Sequence, residues 1–236
     1  MNKSSKFSLF LALAFAFSQL SHGALWTAGH GDLGIAYEDG ELEPPWHLGE
    51  DNESVTLDGV AGALGPDGEE YSAADITPVT TLTQNIGGSF YYVFPVAEVP
   101  SVPFIGFGTE ELSPSDWLGD IVLTLTGVSG PGDFSLFSVD ALGATSTLMS
   151  SADGVTSSDS IPLQPDDHAH HLWAFSTAGD YDLTFQVDGN HSSDGAQTAS
   201  ATYGFTALAP VPELSTAGLL LGAAALVFTV VRRRAS

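Results

Sequence analysis

The chain has 236 residues, of which 29 are Asp or Glu and five are Lys or Arg, giving a formal net charge of −24 at pH 7, and it has no cysteine. No side chain between Phe7 and Val231 other than histidine can neutralise a phosphate, which excludes a nucleic-acid partner. Disulfides and thiolate metal sites are excluded too, and repulsion among the carboxylates should be relieved by salt or divalent ions.

The front end carries Lys3 and Lys6, then the apolar run Phe7 to Leu20, then the small-residue stretch Ser21-His22-Gly23. This order predicts a signal peptide over 1–23, cut by signal peptidase before Ala24; the run is short for a membrane span. Residues 24–209 then read as one domain, long enough to bury a core. Its first segment holds His30-Gly31-Asp32-Leu33, with His30 and Asp32 two apart, and Trp46-His47-Leu48 follows. His47 beside Trp46 fits either a ligand or an interfacial aromatic cluster. The acidic stretches Glu38-Asp39-Gly40-Glu41 and Asp67-Gly68-Glu69-Glu70 lack the spaced oxygens of an EF-hand loop.

The rest of the body reads as short strands between Gly, Asp, Ser and Pro. Val55 to Leu57 is a weak strand and Phe90 to Phe94 an aromatic one; Ile121 to Thr126, Phe134 to Val139 and Ala201 to Leu208 are further strands. In the Tyr181 to Val187 run, Tyr181, Leu183, Phe185 and Val187 share one face. Pro95 to Pro114 reads as a connecting region. Outside the two ends no long segment has helical apolar spacing, so the fold class is all-β, a single β-sandwich.

The densest histidine cluster is His168-Ala169-His170-His171-Leu172-Trp173-Ala174-Phe175. On an extended strand His168 and His170 project to one face, while His171, Trp173 and Phe175 point to the other, toward the core. Two imidazoles at i and i+2 make half of a site for zinc, copper or nickel. Asp166 and Asp167 could orient the rings or ligate directly. The alternative is a polar strand start whose histidines hydrogen-bond locally. His191, in Asp188-Gly189-Asn190-His191-Ser192, reads as a solvated loop residue. HExxH, GxSxG and GxxxxGK[ST] are all absent, and the reading is not an enzyme.

The back end has Ala209-Pro210, then Val211-Pro212-Glu213, then an uncharged, mostly apolar run from Leu214 to Val231, then Arg232, Arg233 and Arg234. As a helix at about 1.5 Å per residue the run would reach roughly 27 Å, enough to span a hydrocarbon core. The arginines place the tail in the cytoplasm and the body outside. This tripartite tail over 210–236 resembles the PEP-CTERM sorting signal, with Leu214 where a proline often follows the glutamate. The resemblance implies an exosortase-type partner that recognises Val211, Pro212 and Glu213. It also implies anchoring by the 214–231 helix before sorting, and a cell-surface or extracellular destination afterwards.

The body carries a second resemblance. Gly130-Pro131-Gly132-Asp133-Phe134, Asp153-Gly154, the His168-x-His170-x-x-Trp173 block and Gly179-x-Tyr181-x-Leu183, with the earlier His30-Gly31-Asp32, are similar to a family of bacterial surface-anchored β domains. One branch of that family carries a PEP-CTERM tail and is controlled by the zinc-uptake repressor. The resemblance implies zinc capture or hand-over under zinc limitation, a zinc-uptake component as partner, and His30, His168 and His170 as ligands. Asp32, His47 and His171 are the further candidates. The alternative is a calcium-stabilised adhesion or matrix module built on the acidic stretches.

Overall fold

The structure is a computed structural model and describes residues 23–50 and 52–209; the expected signal run and the expected C-terminal span lie outside the described residues. The described residues are all-β. They contain no helix, so none long and apolar enough to cross a membrane.

The strands run in chain order as β1 (Ala24–Gly34), β2 (Ala36–Glu38), β3 (Glu41–Glu43), β4 (Trp46–Glu50), β5 (Ser54–Leu57), β6 (Val60–Ala63) and β7 (Asp67–Tyr71). Next come β8 (Ile76–Thr80), β9 (Thr83–Ile86), β10 (Ser89–Phe94), β11 (Pro103–Gly108), β12 (Ile121–Ser129) and β13 (Phe134–Val139). The last are β14 (Thr145–Ser150), β15 (Ser160–Leu163), β16 (His168–His170), β17 (Leu172–Phe175), β18 (Gly179–His191) and β19 (Gly195–Ala207). Tight hairpins explain part of the acidity. Asp39-Gly40 joins β2 to β3 and Asp58-Gly59 joins β5 to β6, each pair with positive φ at both residues, as a two-residue type I′ turn requires.

A long mixed sheet has the order β15-β12-β18-β19-β8-β1-β11-β16, with β4 and β5 also pairing along β1. A five-stranded sheet has the order β14-β13-β17-β10-β9, and its inner rings meet those of the long sheet. Trp173 lies 5.3 Å from Phe205 and Phe175 4.7 Å from Tyr181, measured between ring centroids. The alternation in β18 holds, since Tyr181, Leu183, Phe185 and Val187 are all buried. Burying each such side chain contributes about 1.5–3 kcal/mol, and this core is what keeps the sheets rigid. On the other face of β17, Leu172 and Ala174 join a smaller cluster with Ile86, Val93 and Phe137. Covered on both faces, β17 is apolar throughout rather than alternating.

Two expectations are corrected here. Residues 95–114 are more than a connection, because β11 pairs with β1 in parallel and with β16 antiparallel. Proline is tolerated at the first position of a strand, and Ile105 and Phe107 point into the core. The opposite face carries Phe104, Gly106 and Gly108, so the strand lacks the polar alternation that would announce it. His191 is not a solvated loop residue. It ends β18, its side chain only 13% exposed, with Nδ1 2.7 Å from Asp194 Oδ2 and its ring packed on Tyr37 and Trp117.

Asp159 braces the turn between β14 and β15. Its carboxylate accepts hydrogen bonds from the Ser150 N–H (2.8 Å), the Thr156 N–H (2.7 Å) and the Thr156 hydroxyl (3.1 Å). Burial works to raise its pKa, but the two backbone N–H groups and the hydroxyl outweigh it and lower the pKa. A lowered carboxylate contributes stability above the unfolded pKa, near 3.9 for aspartate, and loses it as pH falls through the folded value. Asp159→Ala should therefore cost about 2 kcal/mol at neutral pH. Urea melts should show the gap between wild type and variant closing below about pH 4; a gap independent of pH would contradict this role.

Candidate metal centre

Three strands meet at one end of the long sheet and give one face to polar side chains. Residues two apart share a face of a strand, so His30 and Asp32 on β1, Phe104, Gly106 and Gly108 on β11, and His168 and His170 on β16 fall together. Pairing fixes their order. His30 is opposite Phe104, Asp32 opposite Gly106, Gly106 opposite His170 and Gly108 opposite His168. Gly106 has no side chain because there is no room for one: a Cβ there would collide with Asp32 Oδ1 and crowd His168 and His170.

The structure thus brings together His30, Asp32, His168 and His170, with one ligand atom from each lying within 4.8 Å of the others. Donors around a tetrahedral zinc lie about 3.3 Å apart, given bonds of about 2.0–2.1 Å. Side-chain adjustment of about an ångström would close the set around an ion.

The pattern of hydrogen bonds is unusual for a buried site. His30 Nε2, Asp32 Oδ1 and His170 Nδ1 are all buried without a hydrogen-bond partner. His30 Nε2 is 3.4 Å from Asp32 Oδ2, and His168 Nε2 is 3.1 Å from Asp32 Oδ1. These are close approaches without the alignment that would satisfy His30 Nε2 or Asp32 Oδ1. Buried polar atoms are almost always paired, and each unpaired one costs about 1–3 kcal/mol. The outward nitrogens are provided for: His30 Nδ1 is 3.2 Å from Glu53 and His168 Nδ1 2.8 Å from Glu110. A carboxylate on the far nitrogen fixes the tautomer and turns the Nε2 lone pair inward, the usual outer arrangement around a histidine-bound metal. The His170 ring stacks flat on Phe104, with centroids 3.7 Å apart and planes 3° apart, which sets its plane.

Electrostatics divide the imidazoles. The carboxylates of Asp32 and then Glu110 beside its ring, only partly opposed by burial, push His168 up to about 10. Burial pushes His170 down to about 4, against the pull of Asp32. At His30 burial opposes the charge, but Asp32 and Glu53 outweigh it and raise the pKa. Burial of Asp32 would raise its pKa, yet His168 and His30 hold it well below the usual carboxylate range. At neutral pH the metal-free site is therefore an aspartate with protonated His168 beside it, and His170 is already a neutral ligand.

The remaining candidates lie elsewhere. His47 belongs to a separate group with Glu70 and Glu111. His171 falls between β16 and β17 and joins neither group. Its ring packs 5.9 Å from Phe107, on the same side of the chain as Trp173 and Phe175, and burial lowers its pKa. Asp167 accepts the backbone N–H of His168 at 2.9 Å, and Asp166 sits in the left-handed region at φ 64°; neither is in the ligand group, and the groups facing the rings are Asp32, Glu53 and Glu110. Sequence reasoning missed Glu53, Glu110 and Gly106. The one local signal was Gly106-x-Gly108, which keeps one face of β11 free of bulk.

The expected motif Val211, Pro212 and Glu213 and the arginines 232–234 lie outside the described residues. No protein-family profile, curated protein or solved structure matches the chain.

Proposed function

We propose that this is an exported β-sandwich protein that binds zinc at His30, Asp32, His168 and His170, as cargo for capture or hand-over rather than for catalysis. The observation that carries the reading is that His30, Asp32, His168 and His170 each bring a ligand atom within 4.8 Å of the others, while His30 Nε2, Asp32 Oδ1 and His170 Nδ1 are buried without a hydrogen-bond partner. Three imidazoles and one carboxylate suit a borderline divalent ion such as zinc. Calcium takes oxygen ligands, whereas each ligand group among the described residues contains histidine. Without thiolates such a site should release its ion more readily than a structural zinc cage, which suits hand-over to an uptake system. The terminal sequences supply the address in this reading, with export by the first 23 residues and sorting at the surface through 210–236.

The test is calorimetric titration with zinc, calcium and manganese at about pH 7.5 and again near pH 5.5. Zinc should bind tightly at the higher pH, and calcium should not compete for this site. Sign follows from His168: its raised pKa means that it holds a proton throughout this range, so the metal must displace it. Affinity should fall by about tenfold per pH unit for each proton displaced, roughly a hundredfold between the two conditions from His168 alone. Repeating the titration in buffers of different ionisation enthalpy should reveal at least one proton released per zinc. Binding without proton release would remove His168 from the ligand set, and calcium-only binding would move the function to an adhesion module.

A further inference from the structure

The row that crosses the metal centre continues beyond it. Asp32 on β1 is opposite His47 on β4, and His47 is opposite Glu70 on β7. One row therefore reads Glu70, His47, Asp32, Gly106, His170 across five strands. His47, Glu70 and Glu111 bring one ligand atom each within 4.8 Å of one another. This group is one strand away from the first and is more open, with Glu111 41% exposed and His47 14%.

The tautomer of His47 is fixed by its surroundings. Nε2 lies 2.8 Å from the Asp67 carbonyl oxygen, which can only accept, so Nε2 carries the hydrogen. Gly68, at φ 73°, leaves space for this seat, since a Cβ would come within 3.2 Å of His47 Nε2 and 2.9 Å of the Leu48 carbonyl. That leaves Nδ1 of the neutral ring as a bare lone pair. It faces Glu50 Oε1 at 3.2 Å and Glu111 Oε1 at 3.5 Å. Acceptors facing acceptors repel unless a positive charge lies between them. The chain offers no lysine or arginine between Phe7 and Val231, so that charge is either a proton on Nδ1 or a metal cation. A backbone carbonyl holding the far N–H of an imidazole is the outer support that a metal-bound histidine has.

We propose that His47, Glu70 and Glu111 form a second divalent-cation site, with Glu50 alongside. It takes a zinc-class ion through one nitrogen and carboxylate oxygens, more weakly than the three-imidazole centre beside it. Its position, outward of Asp32 and along the same row, makes it a receiving station from which an ion passes one strand inward. Binding here stands on His47 and its partners alone; only the role as a receiving station rests on the first centre being a zinc site.

The experiment is zinc equilibrium dialysis with metal analysis on the full chain in detergent micelles. Wild type should bind two zinc ions in two steps, the second at least about tenfold weaker. His47→Ala should bind one, with the tight step unchanged. His168→Ala combined with His170→Ala should keep the weaker ion and lose the tight one. Because His47 is largely buried and its loss could disturb β4, the exposed pair Glu70→Gln and Glu111→Gln is measured as well, with circular dichroism as the folding control. It should weaken the second step at least tenfold. A single zinc in wild type that survives in His47→Ala would mean that the His47 ring carries only a proton, and would overturn the second site while leaving the first. Two zinc ions bound unchanged in the glutamine pair would overturn it as well. One zinc lost in His47→Ala and kept in the double histidine variant would instead remove the first centre.

Discussion

Replacing His168 and His170 together by alanine should abolish tight zinc binding and leave the fold intact. Both lie on β16, a three-residue strand at the end of the long sheet, on the face away from the aromatic core. The substitutions therefore remove ligands without opening a cavity among Trp173, Phe175 and their neighbours. If about 10–16 kcal/mol of metal-binding free energy is shared by four ligands, each supplies roughly 3 kcal/mol. Losing two should weaken zinc by about 10⁴-fold. The variant should keep the far-ultraviolet circular dichroism of the parent. Only His170 Nδ1 leaves the set of unpaired buried atoms, and buried Asp32 loses the protonated His168 beside it, so the metal-free variant should keep its fold but melt below wild type. Tight zinc binding in this variant would place the ion elsewhere.

Adding one methyl group at Gly106 should also weaken zinc, without replacing any ligand. The Cβ of Gly106→Ala would occupy the space bounded by Asp32 Oδ1, His168 Nε2 and His170, which is where an ion bound by these groups would sit. Gly106 does not have a positive φ, so the substitution brings crowding rather than backbone strain. Overpacking of this kind costs about 1–3 kcal/mol in stability. Zinc affinity should fall by about ten- to a hundredfold, as when a metal-orienting group is lost. A Gly106→Ala protein that binds zinc as the parent does would show that the ion does not use the floor of this site. Together the two experiments separate ligand loss from cavity loss.

The parts of this molecule that were legible in the sequence are those with a short period. The alternation of Tyr181, Leu183, Phe185 and Val187 announced β18, and the two-residue spacings His30-x-Asp32 and His168-x-His170 announced which side chains share a face. Convergence of those two pairs was not legible, because it depends on β11, whose site face consists of Phe104, Gly106 and Gly108 and carries no polar signal. A strand whose function is to be thin under a site looks like a linker. Glu53 and Glu110 were illegible for a related reason: each reaches its histidine through tertiary pairing, and in an acidic chain neither stands out. His47 was singled out, but the register of β4 between β1 and β7 places it with Glu70 and Glu111 rather than with the other imidazoles. His171 packs on Phe107, on the core side that parity along the strand indicates. The expected terminal signals rest on charge and hydropathy alone and lie outside the described residues.

The parallel pairing of β1 with β11 also governs when the site can exist. His30 and Asp32 come from the first strand, Gly106 from the middle of the body, and His168 and His170 from a strand two-thirds of the way along the chain. Such distant segments meet late, because contacts between residues far apart in sequence bear the largest loop-closure cost. A partly folded chain can offer loose pairs such as His168 with His170, but it cannot offer the four-ligand set. On the proposed reading, zinc would act on the finished fold and stabilise it by mass action, by about RT ln(1 + [Zn]/Kd). Occupancy would then become a proofreading mark: only a chain that has completed its long sheet would carry an ion at this site.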